Sequence, residues 1–403
     1  MIFYENVIKN ALCNENDEIL NLKVDDCCDP GDHYVGILKQ MSFTLRARNE
    51  SKFFDVVIKY GKDSDRKDMF FIKEIDAYNV ISTDITQWQK ETYGTLLVPM
   101  KFPRILHGSI EKKLLIMENL KSLGYKMGDR AKGLNFEEST LVMKAIAEFH
   151  ALCNLYLSNI DRKAFFERYP YFIDKEFEFP LTDEIVKSAI FDTLVPILSK
   201  AYPKEIHLLE DFNFERFQMA LPTNVKKLCS PNEQFNVLCH GDLYTNNILF
   251  KYDERCKPTD LRFIDLQAVR LCTPAYDLIH FFWLSADSNV LANKQEELLE
   301  IYWQNFISVA KQIKLEHHYT INDLQNDVKL LNGLGFQIKM KTILYSTARK
   351  EDALYFDESE SLMTEAATIK MQSKGVELAR LADDFVKEKI MVALRYGKKL
   401  QIF

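Results

Sequence analysis

Two stretches of this chain, Val237 to Phe250 and Leu261 to Gln267, constrain it more than any other part. The apolar runs Val237-Leu238-Cys239 and Ile248-Leu249-Phe250 flank His240-Gly241-Asp242, and Asn247 stands five residues after that Asp. A second carboxylate, Asp265, closes the apolar stretch that begins at Leu261. Each apolar run has the length of a short strand. His240 to Asn247 therefore reads as a loop between strands, where a carboxylate can face a cleft. His-x-Asp alone is a weak signal, because a buried His beside a loop-capping Asp is common. Asn247 at this offset, followed by a strand ending in Asp265, narrows the reading.

Phosphoryl transfer from ATP requires this set of groups in this order. One carboxylate, Asp242, accepts the proton of an attacking hydroxyl. An amide oxygen, Asn247, and a second carboxylate, Asp265, hold Mg²⁺ against the phosphates. Mg²⁺ takes hard oxygen donors, so these residue types suit it. Asn246 is an immediate rival to Asn247.

Composition bounds the alternatives. A chain of 403 residues can bury a large core, and 47% hydrophobic with 28% charged residues is ordinary for a soluble globular protein. A net charge of -7 argues against a nucleic-acid partner. Met1 to Lys9 has no basic region leading into a long apolar stretch, so it does not read as a signal peptide. The longest apolar run, near Leu278 to Leu284, is too short to span a bilayer. The 8 cysteines include no Cys-x-x-Cys pair, and adjacent Cys27 and Cys28 suit neither a normal disulfide nor two ligands of one metal. Reduced thiols, a cytoplasmic setting, no membrane and no obligate protein partner are the expectation.

The N-terminal part reads as strands: Ile19 to Val24, Tyr34 to Arg48, and Lys52 to Tyr60 after a turn at Asn49-Glu50-Ser51. Phe71, Ile75, Tyr78, Ile81, Ile85 and Trp88 recur at helical spacing, predicting one long helix over 65–90. Short strands follow at Phe102 to His107 and Lys113 to Glu118. Beyond Asn119 the pattern becomes helical: a strong helix from Asn135 through Tyr156, more over 181–229, and nearly everything from Tyr276 to Gln401. Only Asn236 to Asp265 returns to strand. The chain thus divides into a sheet-rich unit, residues 1–118, and a helical one, residues 119–403, with a hinge near Met117 to Lys121. Gly333-Leu334-Gly335 is no dinucleotide fingerprint, since Ile338 takes the third glycine position and no strand precedes it.

His240-Gly241-Asp242 with Asn247, and Phe263-Ile264-Asp265-Leu266-Gln267, resemble the aminoglycoside phosphotransferase and choline kinase group. Within it they resemble most the ecdysteroid kinase-like family of insects. Gly31 to Tyr34, Phe71 to Tyr78, Ala147 to Leu152 and Pro274 to Leu278 support the narrower match, which covers about residues 15–290. The resemblance implies an α+β, bilobal, protein kinase-like fold with a small antiparallel sheet lobe and a large helical lobe. It also implies ATP and Mg²⁺ as cofactors.

Residue roles follow from that template. Lys59 ends Asp55-Val56-Val57-Ile58-Lys59, like the lysine strand of kinases, and is expected to meet the α- and β-phosphates. Taken alone, a Lys ending an edge strand is commonly just solvated. Glu74, on or beside the inward stripe of the next helix, is its expected partner. His240 is expected to orient the loop rather than do chemistry. Gly31 and Tyr34 lie in the expected phosphate-covering loop, which has too few glycines for the protein-kinase pattern. Glu118 and Leu120, flanking Asn119, fit the adenine-binding hinge. Asp277 opens a helix, as a cap or as a tie to the catalytic loop. Gln267 stands where protein kinases have Gly.

Only residues 266–276 separate Asp265 from Asp277, too few for a peptide-binding segment ending in Ala-Pro-Glu. The expected partner is therefore a small-molecule alcohol. The resemblance implies an ecdysteroid or another steroid-like or xenobiotic alcohol, handled in detoxification. A cationic alcohol such as choline is the alternative substrate. A catalytically inactive kinase fold that only binds is the alternative class.

Overall fold

The computed structural model describes residues 2–14, 17–27, 37–47, 50–61, 65–173, 182–221, 225–231, 235–352 and 364–403. The architecture is α+β, with antiparallel sheets and a large helical part. Gly31 and Tyr34 lie outside the described residues.

A five-stranded antiparallel sheet organises the N-terminal part, in the order β1-β2-β3-β5-β4. Its strands are β1 (Glu18–Asp26), β2 (Ile37–Ala47), β3 (Glu50–Tyr60), β4 (Ile105–Ser109) and β5 (Leu114–Glu118). All five fall where apolar alternation places them, displaced by a few residues at their ends. The strand ending in Lys59 is central, not an edge: Lys59 pairs with Leu38 of β2 and Leu115 of β5.

The side-chain period of two gives β3 two different faces. Val56 and Ile58 join Met41, Phe43, Leu114 and Ile116 in a small core beneath α1 (Ile2–Leu12), whose Ile8 is fully buried there. Val57 points the other way, into the main core with Phe71, Ile75 and Tyr78 of α2 (Asp65–Asn79). Lys59 shares Val57's parity, so it is carried under α2. A register slip of one residue would send it to the α1 side.

Three expectations need correction. The chain begins with a helix, α1, where strands were expected first. Tyr4, Val7, Ile8 and Ala11 repeat at helical spacing and pack on the sheet, so tertiary burial stabilises a segment too short to be helical alone. The long helix over 65–90 is broken: α2 passes through a wider π-type stretch, Val80–Ile85, before α3 (Thr86–Tyr93). Strand also occurs outside 236–265, at β6 (Lys126–Met127) and β10 (Arg270–Cys272). These strands are too short to show a period, and partner strands alone define them.

The predicted helix at Asn135 is α4 (Phe136–Ser158). Asn135 caps it, accepting from the N–H groups of Glu137 and Glu138, and Glu138 returns a bond to the Asn135 N–H. Gly333 and Gly335 lie inside the buried Ile321–Thr347 helix, where a Cβ on Gly335 would strike the Trp283 ring at 2.2 Å. Gly335 allows that helix to pack closely on the Ala275–Leu284 helix. Among the described residues, no helix is long and apolar enough to cross a membrane.

Candidate active site

The candidate catalytic loop hangs between two small sheets. The fully buried β7 (Val237–Cys239) pairs antiparallel with β10, Cys239 opposite Arg270. β8 (Ile248–Tyr252) forms a hairpin with β9 (Pro258–Phe263), and Ile248 faces Phe263. That register puts the residue before β8, Asn247, beside the residues after β9. The Ile264 N–H donates to the Asn247 carbonyl at 3.0 Å. Two residues 18 positions apart in sequence, Asn247 and Asp265, are thereby brought to one end of one hairpin.

The loop backbone is held by a buried anion. Asp277, in the first turn of the Ala275–Leu284 helix, does not cap its own helix. Its carboxylate accepts the N–H of His240 at 2.7 Å and of Gly241 at 2.9 Å, and His150 Nε2 lies 3.1 Å from it. His150, on α4, contacts Tyr302 Oη through its other nitrogen at 2.9 Å. Burial pushes Asp277's pKa up, but the His150 bond and the neighbouring imidazoles and amides more than reverse it. Gly241 has φ +85, and a Cβ there would meet the Ala268 carbonyl oxygen at 1.9 Å, so only glycine fits. Asp277→Ala strands two buried N–H groups and is expected to cost roughly 3–5 kcal/mol. Urea unfolding checks this, and a loss below ~1 kcal/mol would remove the clamp from the account.

His240 is fully buried, and burial pulls its pKa down, favouring the neutral ring. Its Nε2 lies 2.9 Å from the Ile264 carbonyl and its Nδ1 3.3 Å from the Asp242 N–H. A ring protonated on Nε2 satisfies both contacts and ties the candidate catalytic loop to the segment entering Asp265. Asp242 itself accepts from Asn247: the amide NH₂ donates to the Asp242 carbonyl at 2.9 Å and to its carboxylate at 3.1 Å. That orientation leaves Asn247 Oδ1 as the oxygen available to a cation. Asn246 Oδ1 is also buried, with no hydrogen-bond partner among the described residues. Both amides stay candidates as donors.

Lys59, Glu74 and Asp265 meet. Lys59 Nζ is 2.6 Å from Glu74 Oε2 and 2.8 Å from Asp265 Oδ1, with Lys59 2% and Glu74 1% exposed. Glu74 lies within the inward stripe of α2, between Phe71 and Tyr78. Burial alone would lower the Lys59 pKa, but the Asp265 and Glu74 carboxylates override it and keep the ammonium charged. Burial pushes Asp242 up to about 7, with the Asp265 charge adding to the rise. Glu74 and Asp265 thus share Lys59, and Asp242 stands near enough to feel the Asp265 charge. Fully ionised, the three carboxylates exceed Lys59 by two negative charges, an arrangement a divalent cation neutralises. The donor set, carboxylate and amide oxygens without soft ligands, fits Mg²⁺.

The residues expected at the hinge lie at and just after the end of β5. Glu118 pairs with Val56, three residues along β3 from Lys59, which is roughly 10 Å at strand spacing. Its carboxylate accepts the Arg104 N–H at 2.8 Å. Asn119 is stitched to Asp55 by its backbone N–H (3.2 Å) and side-chain amide (2.8 Å). The carbonyl of Leu120 accepts from the N–H groups of Leu123 and Tyr125, both at 3.0–3.1 Å. Two groups had no assigned role in the sequence reading: His150 and Tyr78. Both fall in stretches that carry the resemblance, but their partners are more than a hundred residues away.

The family model for ecdysteroid kinase-like proteins matches residues 30–315. The chain belongs to the ecdysteroid kinase-like family. Membership makes it a small-molecule kinase, a phosphotransferase. Solved structures similar to it include an ethanolamine kinase from Plasmodium vivax, 15% identical, covering 89% of this chain and 81% of its own, with TM-score 0.41. A GDP complex of aminoglycoside 2'-phosphotransferase-IIIa is 13% identical, covering 94% and 97%, with TM-score 0.42. No curated protein matches the sequence. The match stops at residue 315, so the helices Ile321–Thr347, Glu365–Leu381 and Asp384–Lys399 of this ecdysteroid kinase-like chain lie outside it.

Proposed function

We propose that this ecdysteroid kinase-like chain transfers the γ-phosphoryl group of ATP to a hydroxyl of a small, largely apolar alcohol. The ecdysteroid or xenobiotic class is the acceptor we favour. The observation that carries the reading is the convergence of Lys59, Glu74 and Asp265 beside the hydrogen-bonded pair Asp242–Asn247.

Each side chain has a task in that reaction. Lys59, held charged, binds the α- and β-phosphates, and Glu74 fixes its ammonium under α2. Asp242 orients the acceptor hydroxyl and takes its proton; its raised pKa makes it a better proton acceptor than an exposed Asp. Asp265 and Asn247 would hold Mg²⁺, which when bound would supply positive charge to offset the charge that develops on the phosphates. Glu118 and Leu120 would contact adenine through backbone groups, with residues 1–118 and 119–403 as the two lobes about them. Gly31 and Tyr34 would cover the phosphates.

The acceptor's size follows from the path after Asp265. That path makes a tight turn (Leu266–Ala268), enters β10, and reaches the Ala275–Leu284 helix at once. A peptide platform has no chain left to form it. The described cysteines are free thiols; Cys239 and Cys272 lie 3.7 Å apart without a bond, which suits a cytosolic setting. The small alcohol is the only partner the reading calls for.

The test is ATP turnover against steroid alcohols, xenobiotic alcohols, choline and a generic peptide. Turnover on an apolar alcohol, at least tenfold above choline in kcat/KM, is the expected result. Preference for choline would move the substrate class. No turnover together with nucleotide binding would favour a binding module. Peptide phosphorylation would remove the size argument.

A further inference from the structure

We propose that Tyr78 is a positioning residue for Asp265, acting through that residue's backbone to set the carboxylate that receives the metal. The inference rests on the phosphotransferase reading of the site and adds a residue to it.

Asp265 adopts the left-handed conformation, φ 64 and ψ 68. An L-residue holds this conformation only when its surroundings impose it, although Asp tolerates it better than most. Lys59 and Tyr78 both reach Asp265 from the N-terminal elements. Lys59 holds its carboxylate at 2.8 Å, and the Tyr78 hydroxyl accepts its backbone N–H at 3.2 Å. Tyr78 lies one helical turn after Glu74 on α2, so one helix face supplies both the partner of Lys59 and the acceptor for Asp265. The ring is 1% exposed and packed in the main core, which leaves its hydroxyl little freedom. Burial and the adjoining carboxylates of Glu74 and Asp265 hold that hydroxyl protonated. It therefore takes part as a neutral hydrogen-bonding group.

The consequence is geometric. Rotation of the Asp265 peptide swings the carboxylate relative to Asn247, whose position the β8–β9 register sets independently. The Tyr78 bond restrains the Asp265 backbone, whereas the Lys59 contact reaches its carboxylate. In the proposed reaction the three N–H donors of Lys59 are divided among Glu74, Asp265 and the phosphates. Tyr78 does no chemistry and has no need to touch substrate.

Tyr78→Phe removes the hydroxyl and keeps the ring. Phe71→Leu, on the same face of α2, weakens packing without removing a polar group. ADP is titrated calorimetrically into the parent chain and both variants, with and without Mg²⁺, and thermal unfolding reports the fold. Tyr78→Phe is expected to lose about fivefold of the Mg²⁺-dependent gain in ADP affinity, the worth of one buried hydrogen bond. Its metal-free ADP affinity stays at the parental value. The Mg²⁺ concentration for half-maximal turnover should rise by a similar factor. Phe71→Leu should melt at a lower temperature and keep the parental Mg²⁺ gain. A Tyr78→Phe chain with the full gain, or a Phe71→Leu chain that loses as much of it, overturns the inference. A parent chain with no Mg²⁺-dependent gain overturns the reading of the site itself, and the inference with it.

Discussion

Asp265→Ala should abolish Mg²⁺-dependent ATP turnover, a loss of roughly 10³-fold or more, while the chain remains folded. The charged metal donor disappears, and the amides of Asn247 and Asn246 do not replace a carboxylate. Lys59 keeps Glu74 at 2.6 Å, so its charge stays balanced and no ion is stranded. Asp265 has φ 64, where Ala is disfavoured by about 1 kcal/mol, so a modest drop in melting temperature accompanies the change. Asp265→Asn keeps a side chain that tolerates this conformation and isolates the charge. Turnover measured against Mg²⁺ concentration, alongside thermal unfolding, separates the two effects. Near-parental turnover at low Mg²⁺ in either variant would take Asp265 out of the metal site.

Asp242→Asn should cut turnover by roughly 10²–10⁴, the usual yield of a general base, and leave ATP affinity nearly unchanged. Asn247 can still donate to the oxygen of an amide at 242, so the loop geometry survives. Stability provides an independent check. The folded pKa of Asp242 is about 7 against an ordinary 3.8, so the folded chain binds this proton more tightly than the unfolded chain. For an acid raised in this way, stability falls as pH rises from about 4 to 7, and the full cost is present above that window. Asn removes an ionisation that burial opposes. Asp242→Asn is therefore expected to be at least as stable as the parent at pH 8, yet far slower. An equally fast variant would remove Asp242 from the chemistry. A slow but strongly destabilised one would make it a structural residue.

Much of the site is legible in sequence because its parts obey local rules. The runs around His240–Asn247 are short strands, and Asp265 ends another. Lys59 ends a β-branched stretch, and Glu74 lies on a helix face with Phe71, Ile75 and Tyr78. Offsets within one loop or one helix turn need no tertiary information. β1 to β5 are legible for the same reason: alternation is a property of the chain itself.

What failed was short or depended on a partner. β6 and β10 span two and three residues, so only β8 and β7 define them. α1 carries helical spacing, but its helix exists because the back of the sheet needs cover. The π-type stretch after Tyr78 has no signature in residue type.

The sequence by itself determined which side chains carry charge and on which local face each one stands: Lys59 on the Val57 side of β3, Glu74 within the α2 stripe, Asp242 and Asn247 in one loop. Only the tertiary structure decided which of these meet. The central place of β3, the hairpin register of Ile248 with Phe263, and the Asp277 clamp on His240 and Gly241 bring them together. The same packing gave Asp265 its left-handed backbone and its Tyr78 partner, 187 residues away. The physical reason is range: periodicity and capping act over a few residues, whereas buried charges must find partners wherever the fold delivers them.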